Sequence, residues 1–123
     1  MAKGRILVIE DDKDNQELIL FLLQKADYEV VQAMDGRQGM NMALAHQPDL
    51  ILLDLSIPGL DGWKLAGRLK EHPGLKEIPV IAVTGHTLPG DRRQAIESGC
   101  DGYITKPLDV TTFLLQVEAF LPD

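Results

Sequence analysis

The most informative part of the chain is Leu50-Ile51-Leu52-Leu53-Asp54-Leu55-Ser56-Ile57-Pro58-Gly59-Leu60-Asp61-Gly62. It begins with four consecutive aliphatic residues, a pattern typical of a strand that is buried on both faces of a parallel sheet. Asp54 ends this run, at the point where the strands of open α/β sheets line a ligand crevice. An isolated aspartate here would simply start a turn, but polar residues at three other strand ends, among them further acids and a lysine, favour a functional role.

Aliphatic runs alternate with helical patterns along the whole chain. The predicted strands are Arg5–Ile9, Tyr28–Ala33, Leu50–Asp54, Pro79–Val83 and Gly102–Ile104. Strict alternation of this kind implies a parallel sheet with helices on both faces. We therefore predict a three-layer, flavodoxin-like α/β fold, a (βα)5 unit whose five-stranded parallel sheet has the order 2-1-3-4-5. The length of 123 residues predicts a single domain over residues 1–123.

The five predicted helices follow from cap residues and apolar spacing. The candidate N-caps are Asp12 or Asp14 for the first helix, Asp35 for the second, Asp61 for the third and Asp109 for the last. Pro89 suits the first turn of the fourth helix, which continues to Gly99. The first helix has an apolar stripe of Leu18, Ile19, Leu22 and Leu23, the second carries Met40, Ala43 and Leu44, and the third runs through Trp63, Leu65, Ala66 and Leu69. The residues expected on the inner side of the last helix are Phe113, Leu114, Val117, Phe120 and Leu121.

Composition limits the classes of function that the chain can have. The net charge of −7 argues against a surface for nucleic acid or anionic membranes, because such surfaces need clustered lysine and arginine. The sequence shows neither a secretory signal nor an apolar run of membrane-spanning length. Cys100 is the only cysteine, so no internal disulfide can form, and we expect a structural role for it. These features favour a cytoplasmic location.

Polar residues follow four of the predicted strands. In the order 2-1-3-4-5, strands 1, 3, 4 and 5 are adjacent, so their carboxyl ends are expected to bring together Glu10, Asp11, Asp54, Thr84 and Lys106. Three carboxylates in close proximity repel one another unless a cation lies among them. Carboxylate oxygens suit a hard divalent cation such as Mg²⁺ (or Mn²⁺), which also binds phosphate oxygens. The sequence therefore predicts a metal site at this edge of the sheet.

Lys106 is the one cation among these strand ends. It precedes Pro107 at an X-Pro bond, where a tight turn can hold a cis peptide and fix the direction of the lysine side chain. An ammonium group stabilises negative charge on a phosphoryl group, and the Thr84 hydroxyl can donate to the same group in the space beside Gly85. Together these residues predict phosphoryl transfer to Asp54 as a carboxylate nucleophile, with the cation bridging the phosphoryl oxygens and the acids.

The chain resembles the response-regulator receiver domains of two-component signalling over essentially its whole length. The motifs that carry the resemblance occur in order, and they are Glu10-Asp11, Asp54, Pro58-Gly59-Leu60-Asp61-Gly62, Thr84-Gly85, Tyr103 and Lys106-Pro107. The resemblance implies that Asp54 accepts a phosphoryl group from a sensor histidine kinase or a histidine phosphotransfer protein. It also implies a signalling protein rather than an enzyme, with only Mg²⁺-dependent self-phosphorylation and self-dephosphorylation.

The same resemblance implies a ligand set for the metal. Mg²⁺ would be held by Asp11, Asp54 and the main-chain carbonyl of Ser56, with Glu10 acting through water. Ser56 and His86 occupy positions that vary within the family beside the phosphoryl site, and they are candidates for tuning the reaction rate. Our hypothesis is that they set the lifetime of the aspartyl-phosphate by controlling the access of water. An unchanged dephosphorylation rate after substitution of both residues would refute it.

The implied phosphoryl-binding and switch residues are Thr84, Gly85, Tyr103, Lys106 and Pro107. By resemblance, Thr84 shifts toward the phosphoryl group and Tyr103 changes rotamer. These movements would alter the surface of predicted helix 4, strand 5 and helix 5, which signals by contact with a downstream protein target. The same surface pairs in many receivers, so the sequence is compatible with a monomer or a weak homodimer.

Three alternatives fit the sequence less well. A phosphatase of the haloacid dehalogenase type needs a second aspartate two residues after its nucleophile, where this chain has Ser56. A flavin-binding module needs a Ser/Thr/Gly-rich loop after strand 1, where Glu10-Asp11-Asp12 would repel a phosphate. A degenerate receiver would lack functional residues that are all present here.

The short tail Pro122-Asp123 resembles that of stand-alone receivers of the chemotaxis and cell-division type, although a piece of a larger protein would look the same.

Overall fold

The computed structural model describes residues 4–54, 62–84, 93, 96–105 and 108–121. Its sheet has five strands, which are β1 (Arg5–Ile9), β2 (Glu29–Ala33), β3 (Leu50–Asp54), β4 (Val80–Thr84) and β5 (Gly102–Thr105). The strands are ordered β2-β1-β3-β4-β5, and every neighbouring pair is parallel. The predicted flavodoxin-like α/β fold and its strand order are therefore confirmed.

Within the described residues, the helices with defined bounds are α1 (Lys13–Lys25), α2 (Gly36–His46), α3 (Gly62–Glu71) and the C-terminal helix (Val110–Glu118). Asp12 caps α1, because its side chain accepts hydrogen bonds from the main-chain N–H groups of Asp14 and Asn15, at 2.9 and 3.2 Å. Asp35 and Asp109 cap α2 and the C-terminal helix in the same way. Of the two cap residues that the sequence left open for the first helix, the structure selects Asp12.

The predicted fourth helix is described only in part. Arg93, Ile96 and Glu97 are helical, whereas residues 89–92, 94 and 95 lie outside the described residues. Asp61, the predicted cap of α3, also lies outside them. The position of this fourth helix in the chain is consistent with the prediction, but its bounds remain predictions.

Two hydrophobic clusters occupy the two faces of the sheet. Successive residues of a strand point to opposite faces, so each strand contributes to both clusters. The first cluster joins alternate strand residues to α2 and α3, and it includes Leu7, Ile9, Ile51, Leu53, Ala43, Leu65, Ala66 and Leu69. The second joins the other strand residues to α1 and the C-terminal helix, and it includes Ile6, Val8, Leu50, Leu52, Ile19, Leu23, Phe113 and Val117. The sheet is thus covered on both sides, which gives the predicted three layers.

Two of the apolar residues in the predicted helices are exposed. Leu18 in α1 and Leu44 in α2 keep 38% and 41% of their surface accessible. Leu18 precedes buried Ile19 by one position, and Leu44 follows buried Ala43 by one position. One position corresponds to a rotation of roughly 100° around the helix. Because the contact with the sheet is a narrow stripe, that rotation places these leucines beside the stripe rather than in it. The predicted apolar stripe of α1 was therefore wrong at Leu18.

The end of the chain packs as predicted, although its helix is shorter. Phe113 and Val117 are fully buried, and Leu114, Phe120 and Leu121 are partly buried against the same cluster. The C-terminal helix ends at Glu118, so Phe120 and Leu121 contact the core from the following turn.

Candidate functional site

The register of the sheet brings two acidic residues to the same edge. Ile9 at the end of β1 lies opposite Leu53 of β3. Glu10 and Asp54 are the next residues on these adjacent parallel strands, so both are at the carboxyl edge of the sheet. Thr84 and Thr105 end β4 and β5 and lie opposite one another at the same edge. The carboxyl ends of β1, β3, β4 and β5 therefore meet as the topology predicted.

Three carboxylates form a cluster at this edge. Glu10, Asp11 and Asp54 each offer a carboxylate oxygen, and these atoms all lie within 4.8 Å of one another. Glu10 and Asp54 are buried, with 1% and 3% of their surface accessible, whereas Asp11 is exposed. The cluster thus has a buried floor formed by two acids and an opening to solvent at the third.

Main-chain hydrogen bonds fix the segment that carries two of these acids. The N–H of Glu10 donates to the carbonyl of Ala33 at 3.0 Å, which continues the pairing of β1 with β2 beyond the strand. The N–H of Asp12 donates to Oε1 of Glu10 at 3.1 Å. The side chain of Asp12 caps α1, so it serves the helix and is not a member of the cluster. The acids of this segment are therefore placed in two ways, because Asp12 caps α1 and Glu10 and Asp11 belong to the cluster.

The chemistry of the cluster fits a divalent cation. Two buried carboxylates and a third within 4.8 Å concentrate negative charge where little water can solvate it. All three donors are hard oxygen atoms, which Mg²⁺ and Mn²⁺ prefer, and the exposed side at Asp11 leaves room for water or phosphate ligands. A divalent cation held by Glu10, Asp11 and Asp54 would offset their repulsion.

The other predicted site residues are described to different extents. Tyr103 lies in β5 opposite Ala82, where it is half-buried against the first core cluster. Thr84 is the last residue of β4, and its side chain lies outside the described part of the structure, as does that of Trp63. The remaining predicted site residues also lie outside the described ranges, and they are Ser56, Gly85, His86, Lys106 and Pro107. Their roles remain predictions.

Gln16 is a residue of this region that sequence reasoning missed. The residue is buried, with 6% of its surface accessible, and its Nε2 donates to the main-chain carbonyls of Glu10 at 3.3 Å and Ala33 at 3.2 Å. A signal was present, because Gln16 lies three and seven residues before Ile19 and Leu23 and thus on the inner face of α1. A polar residue on an apolar helix face needs a hydrogen-bond partner, and here the partners are at the acidic cluster.

Cys100 plays no part in the cluster. It is buried in the first core cluster, and burial, with a contribution from the charge of Asp101, raises the pKa of its thiol to about 11. A thiol with such a pKa is almost entirely protonated near neutral pH and is a poor nucleophile. This agrees with the structural role that the sequence indicated.

The fold and the acidic cluster are those of a signalling receiver module. The family model of the response regulator receiver domain matches residues 6–118, so the chain belongs to this family, whose members act in two-component signalling. It is 34% identical over 118 residues to the polar-differentiation response regulator DivK of Brucella anthropi, covering 96% of both chains.

No helix in the described part of the chain is long and apolar enough to cross a membrane.

Solved structures agree with this assignment. The chemotaxis response regulator CheY4 of Vibrio cholerae superposes with a TM-score of 0.90 at 26% identity, with 98% of this chain and 99% of that chain covered. The receiver domain of the sensor histidine kinase PA1611 from Pseudomonas aeruginosa gives a TM-score of 0.89 at 29% identity, covering 97% and 98% of the two chains. That receiver domain was solved with a magnesium ion coordinated in its active-site cleft. The prediction of a receiver domain is confirmed.

Proposed function

We propose that Asp54 accepts a phosphoryl group from a phosphohistidine in a Mg²⁺-dependent reaction. The observation that carries this proposal is the convergence of Glu10, Asp11 and Asp54 within 4.8 Å at the carboxyl edge of the sheet. Asp54 is the residue of the three that ends a fully buried strand, so its position is fixed by the core. A carboxylate nucleophile must be held in a fixed position, and a cation must be able to bind beside it to offset negative charge.

The proposed step is an in-line transfer between nitrogen and oxygen. A carboxylate oxygen of Asp54 forms a bond to phosphorus, and the phosphorus–nitrogen bond of the phosphohistidine breaks. The electron pair of that bond stays on the imidazole nitrogen, which then takes a proton from solvent. Bound Mg²⁺ would supply positive charge to the acids and to the phosphoryl oxygens. Burial of Asp54 limits the water around its carboxylate, and the exposed side at Asp11 admits the donor.

The predicted residues outside the described ranges complete this proposal. By their resemblance to the family, the carbonyl of Ser56 would join the metal ligands, and Lys106 and Thr84 would hold the remaining phosphoryl charge. The protein would act as a switch and not as an enzyme. Its partners would be a sensor histidine kinase or histidine phosphotransfer protein and a downstream protein target, all in the cytoplasm. The occurrence of a similar receiver domain in a sensor histidine kinase supports this class of partner.

A rotamer change of Tyr103 would link phosphorylation at the site to a change of the protein surface. It lines a cavity of about 280 Å³ between β5, the C-terminal helix and Ile96, together with Gln116 and Phe120. Such a cavity provides space for a half-buried tyrosine to change rotamer. The cavity therefore supports the proposal that phosphorylation alters the surface formed by predicted helix 4, strand 5 and helix 5.

The decisive experiment measures the intact mass after incubation with a small-molecule phosphodonor, with and without Mg²⁺. We expect a gain of one phosphoryl group that requires Mg²⁺ and disappears in Asp54→Asn. Asp12→Asn is the matched control, because asparagine keeps the cap of α1 and the substitution removes an acid that is not in the cluster. It should still be phosphorylated.

A beryllofluoride complex, a stable mimic of the aspartyl-phosphate, covers the case of a short-lived adduct. Failure of the wild-type protein to form either species in the presence of Mg²⁺ would overturn the proposal. Equal phosphorylation of wild type and Asp54→Asn would place the acceptor elsewhere and would overturn the assignment of Asp54.

A further inference from the structure

We propose that Gln16 is a positioning residue of the acidic site, because its buried side-chain amide holds the peptide group that joins Glu10 to Asp11. The inference rests on the proposed function, in which these acids bind Mg²⁺. Gln16 does not belong to the cluster itself, and its side chain reaches main-chain atoms rather than carboxylates. It therefore acts through the backbone of the residues that do.

The contact is specific to one peptide plane. The carbonyl of Glu10, which accepts from Nε2 of Gln16 at 3.3 Å, belongs to the same rigid planar unit as the N–H of Asp11. Holding that carbonyl fixes the orientation of the plane and therefore the direction in which the main chain enters Asp11. Asp11 is the exposed member of the cluster, so it has less packing than Glu10 or Asp54 to keep it in place.

The same amide group ties together three elements. Its other hydrogen bond goes to the carbonyl of Ala33 at the end of β2, at 3.2 Å, and that carbonyl also accepts the N–H of Glu10 at 3.0 Å. A carbonyl oxygen has two lone pairs and can accept both donors. Gln16 itself is fixed by α1, where its N–H donates to the carbonyl of Asp12 at 2.9 Å. The end of β1, the end of β2 and the first turn of α1 thus meet at one side chain.

Repulsion among the three carboxylates is the reason that the main chain at Glu10 and Asp11 needs a restraint. Glu10, Asp11 and Asp54 carry like charges within 4.8 Å, and the force between them tends to spread the loop apart when no cation is bound. A neutral amide can restrain the loop without adding charge to the cluster. Groups that orient metal ligands in this way commonly change metal affinity by about 10–100-fold when they are removed.

The test compares Gln16→Met with Gln24→Met. Methionine has nearly the same length and a high helix propensity, so the substitution at position 16 removes the two hydrogen bonds and keeps the packing. Gln24 is an exposed glutamine of the same helix and provides the matched control. Mg²⁺ affinity is measured by calorimetry on proteins shown to be folded. We expect about tenfold weaker binding for Gln16→Met and unchanged binding for Gln24→Met.

Metal-free NMR spectra give a second reading that does not depend on Mg²⁺. The backbone amide resonance of Asp11 should shift in Gln16→Met and not in Gln24→Met, because its N–H shares the peptide plane with the restrained carbonyl. In the wild type, the side-chain amide protons of Gln16 should exchange with solvent more slowly than those of Gln24, a measurement that stands even if the variant fails to fold.

The outcomes separate the two proposals. If wild type binds Mg²⁺ and folded Gln16→Met binds it equally well, the inference about Gln16 is overturned while the proposed function stands. If wild type binds no Mg²⁺, the proposed function falls, and the metal-free spectra alone decide the inference. An unshifted Asp11 amide or rapidly exchanging Gln16 protons would then count against it.

Discussion

Gly39 of α2 lies directly against Ile9 of β1. A Cβ atom added to Gly39 would be 2.5 Å from Cδ1 and 3.0 Å from Cγ1 of Ile9, whose side chain is fully buried. Ile9 immediately precedes Glu10, so this contact sets how closely the second helix approaches the strand that carries the acidic residues. The absence of a side chain at position 39 is therefore a requirement of packing between helix and sheet.

Alanine substitutions at Gly39 and at Gly67 should change the free energy of unfolding in opposite directions. Gly39→Ala should lower the free energy of unfolding by about 1–3 kcal/mol, because buried Ile9 must move to admit the methyl group. Gly67 lies within α3, and among the described residues a Cβ there would meet only the carbonyl of Ser98, at an ordinary 3.7 Å. Gly67→Ala should therefore raise the free energy of unfolding by roughly 0.5–1 kcal/mol, because alanine has a higher helix propensity than glycine. Urea denaturation of both variants checks the prediction, which fails if the two changes have the same sign.

Tyr28 connects the turn after α1 to the C-terminal helix across 90 residues of sequence. Its hydroxyl donates to Oε2 of Glu118 at 2.9 Å. Tyr28→Phe should lower the free energy of unfolding by about 1 kcal/mol near pH 9, because the hydrogen bond is lost while the ring still packs. Glu118→Gln keeps an acceptor oxygen and should cost less. Equal stability of wild type and Tyr28→Phe at pH 9 would contradict the prediction.

The same hydrogen bond predicts a dependence on alkaline pH. Burial, followed by the contact with Glu118, raises the pKa of Tyr28 from 10.0 to about 12. A pKa that is raised in the folded state stabilises the protein fully below the unfolded value, and the contribution disappears as the pH rises through the folded value. The stability difference between wild type and Tyr28→Phe should therefore shrink between pH 10 and about 12. Denaturation curves of both proteins across this range measure the difference directly and cancel the titration of groups they share.

Asp101 joins α3 to β4 at the edge of the sheet opposite the acidic cluster. Its Oδ2 accepts hydrogen bonds from Nζ of Lys70 and from the N–H of Val80, each at 2.8 Å. Asp101→Ala should lower the free energy of unfolding by about 1–3 kcal/mol, because the N–H of Val80 loses this acceptor and Lys70 keeps only its bond to the carbonyl of Ile78 at 3.1 Å. Asp101→Asn keeps an oxygen for Val80 and loses only the charge, so its cost should be about 0–1 kcal/mol and should diminish in high salt. Equal losses for the two variants would show that the charge dominates.

The sequence predicted those features that depend on local patterns and on topology. The aliphatic run ending at Asp54 gave a strand with the observed bounds, and the strand order then brought Glu10 and Asp54 to one edge. Both results follow because burial on two faces requires a continuous apolar run and because parallel strands end at the same edge. The position of the acidic cluster could therefore be predicted before any distance was known.

Features that depend on packing between distant segments could not be predicted. The bond between Tyr28 and Glu118 and the close approach of Gly39 to Ile9 are set by how helices lie on the sheet, and no local pattern encodes that. The exposure of Leu18 has the same origin, because the width of the buried stripe depends on neighbouring helices. Helical periodicity identifies an apolar face but not its limits.

The acidic cluster predicts a trade-off between stability and metal binding at Asp11. In the absence of a cation, its carboxylate lies within 4.8 Å of two buried carboxylates. Asp11→Asn removes one of the repelling charges and should raise the free energy of unfolding of the metal-free protein by about 1 kcal/mol. It also removes an oxygen ligand of full charge, so Mg²⁺ affinity should fall.

Chemical denaturation with and without Mg²⁺ measures both effects in one series. A ligand that binds only the folded state stabilises it by RT ln(1 + [L]/Kd), which is about 1.4 kcal/mol at ten times Kd. Wild type should gain this stability from Mg²⁺, and Asp11→Asn should gain almost none at the same concentration. Glu17→Gln removes an exposed acid of α1 outside the cluster and should behave like wild type in both states. If Asp11→Asn were no more stable than wild type without Mg²⁺ and gained equally from it, Asp11 would be neither a source of repulsion nor a ligand.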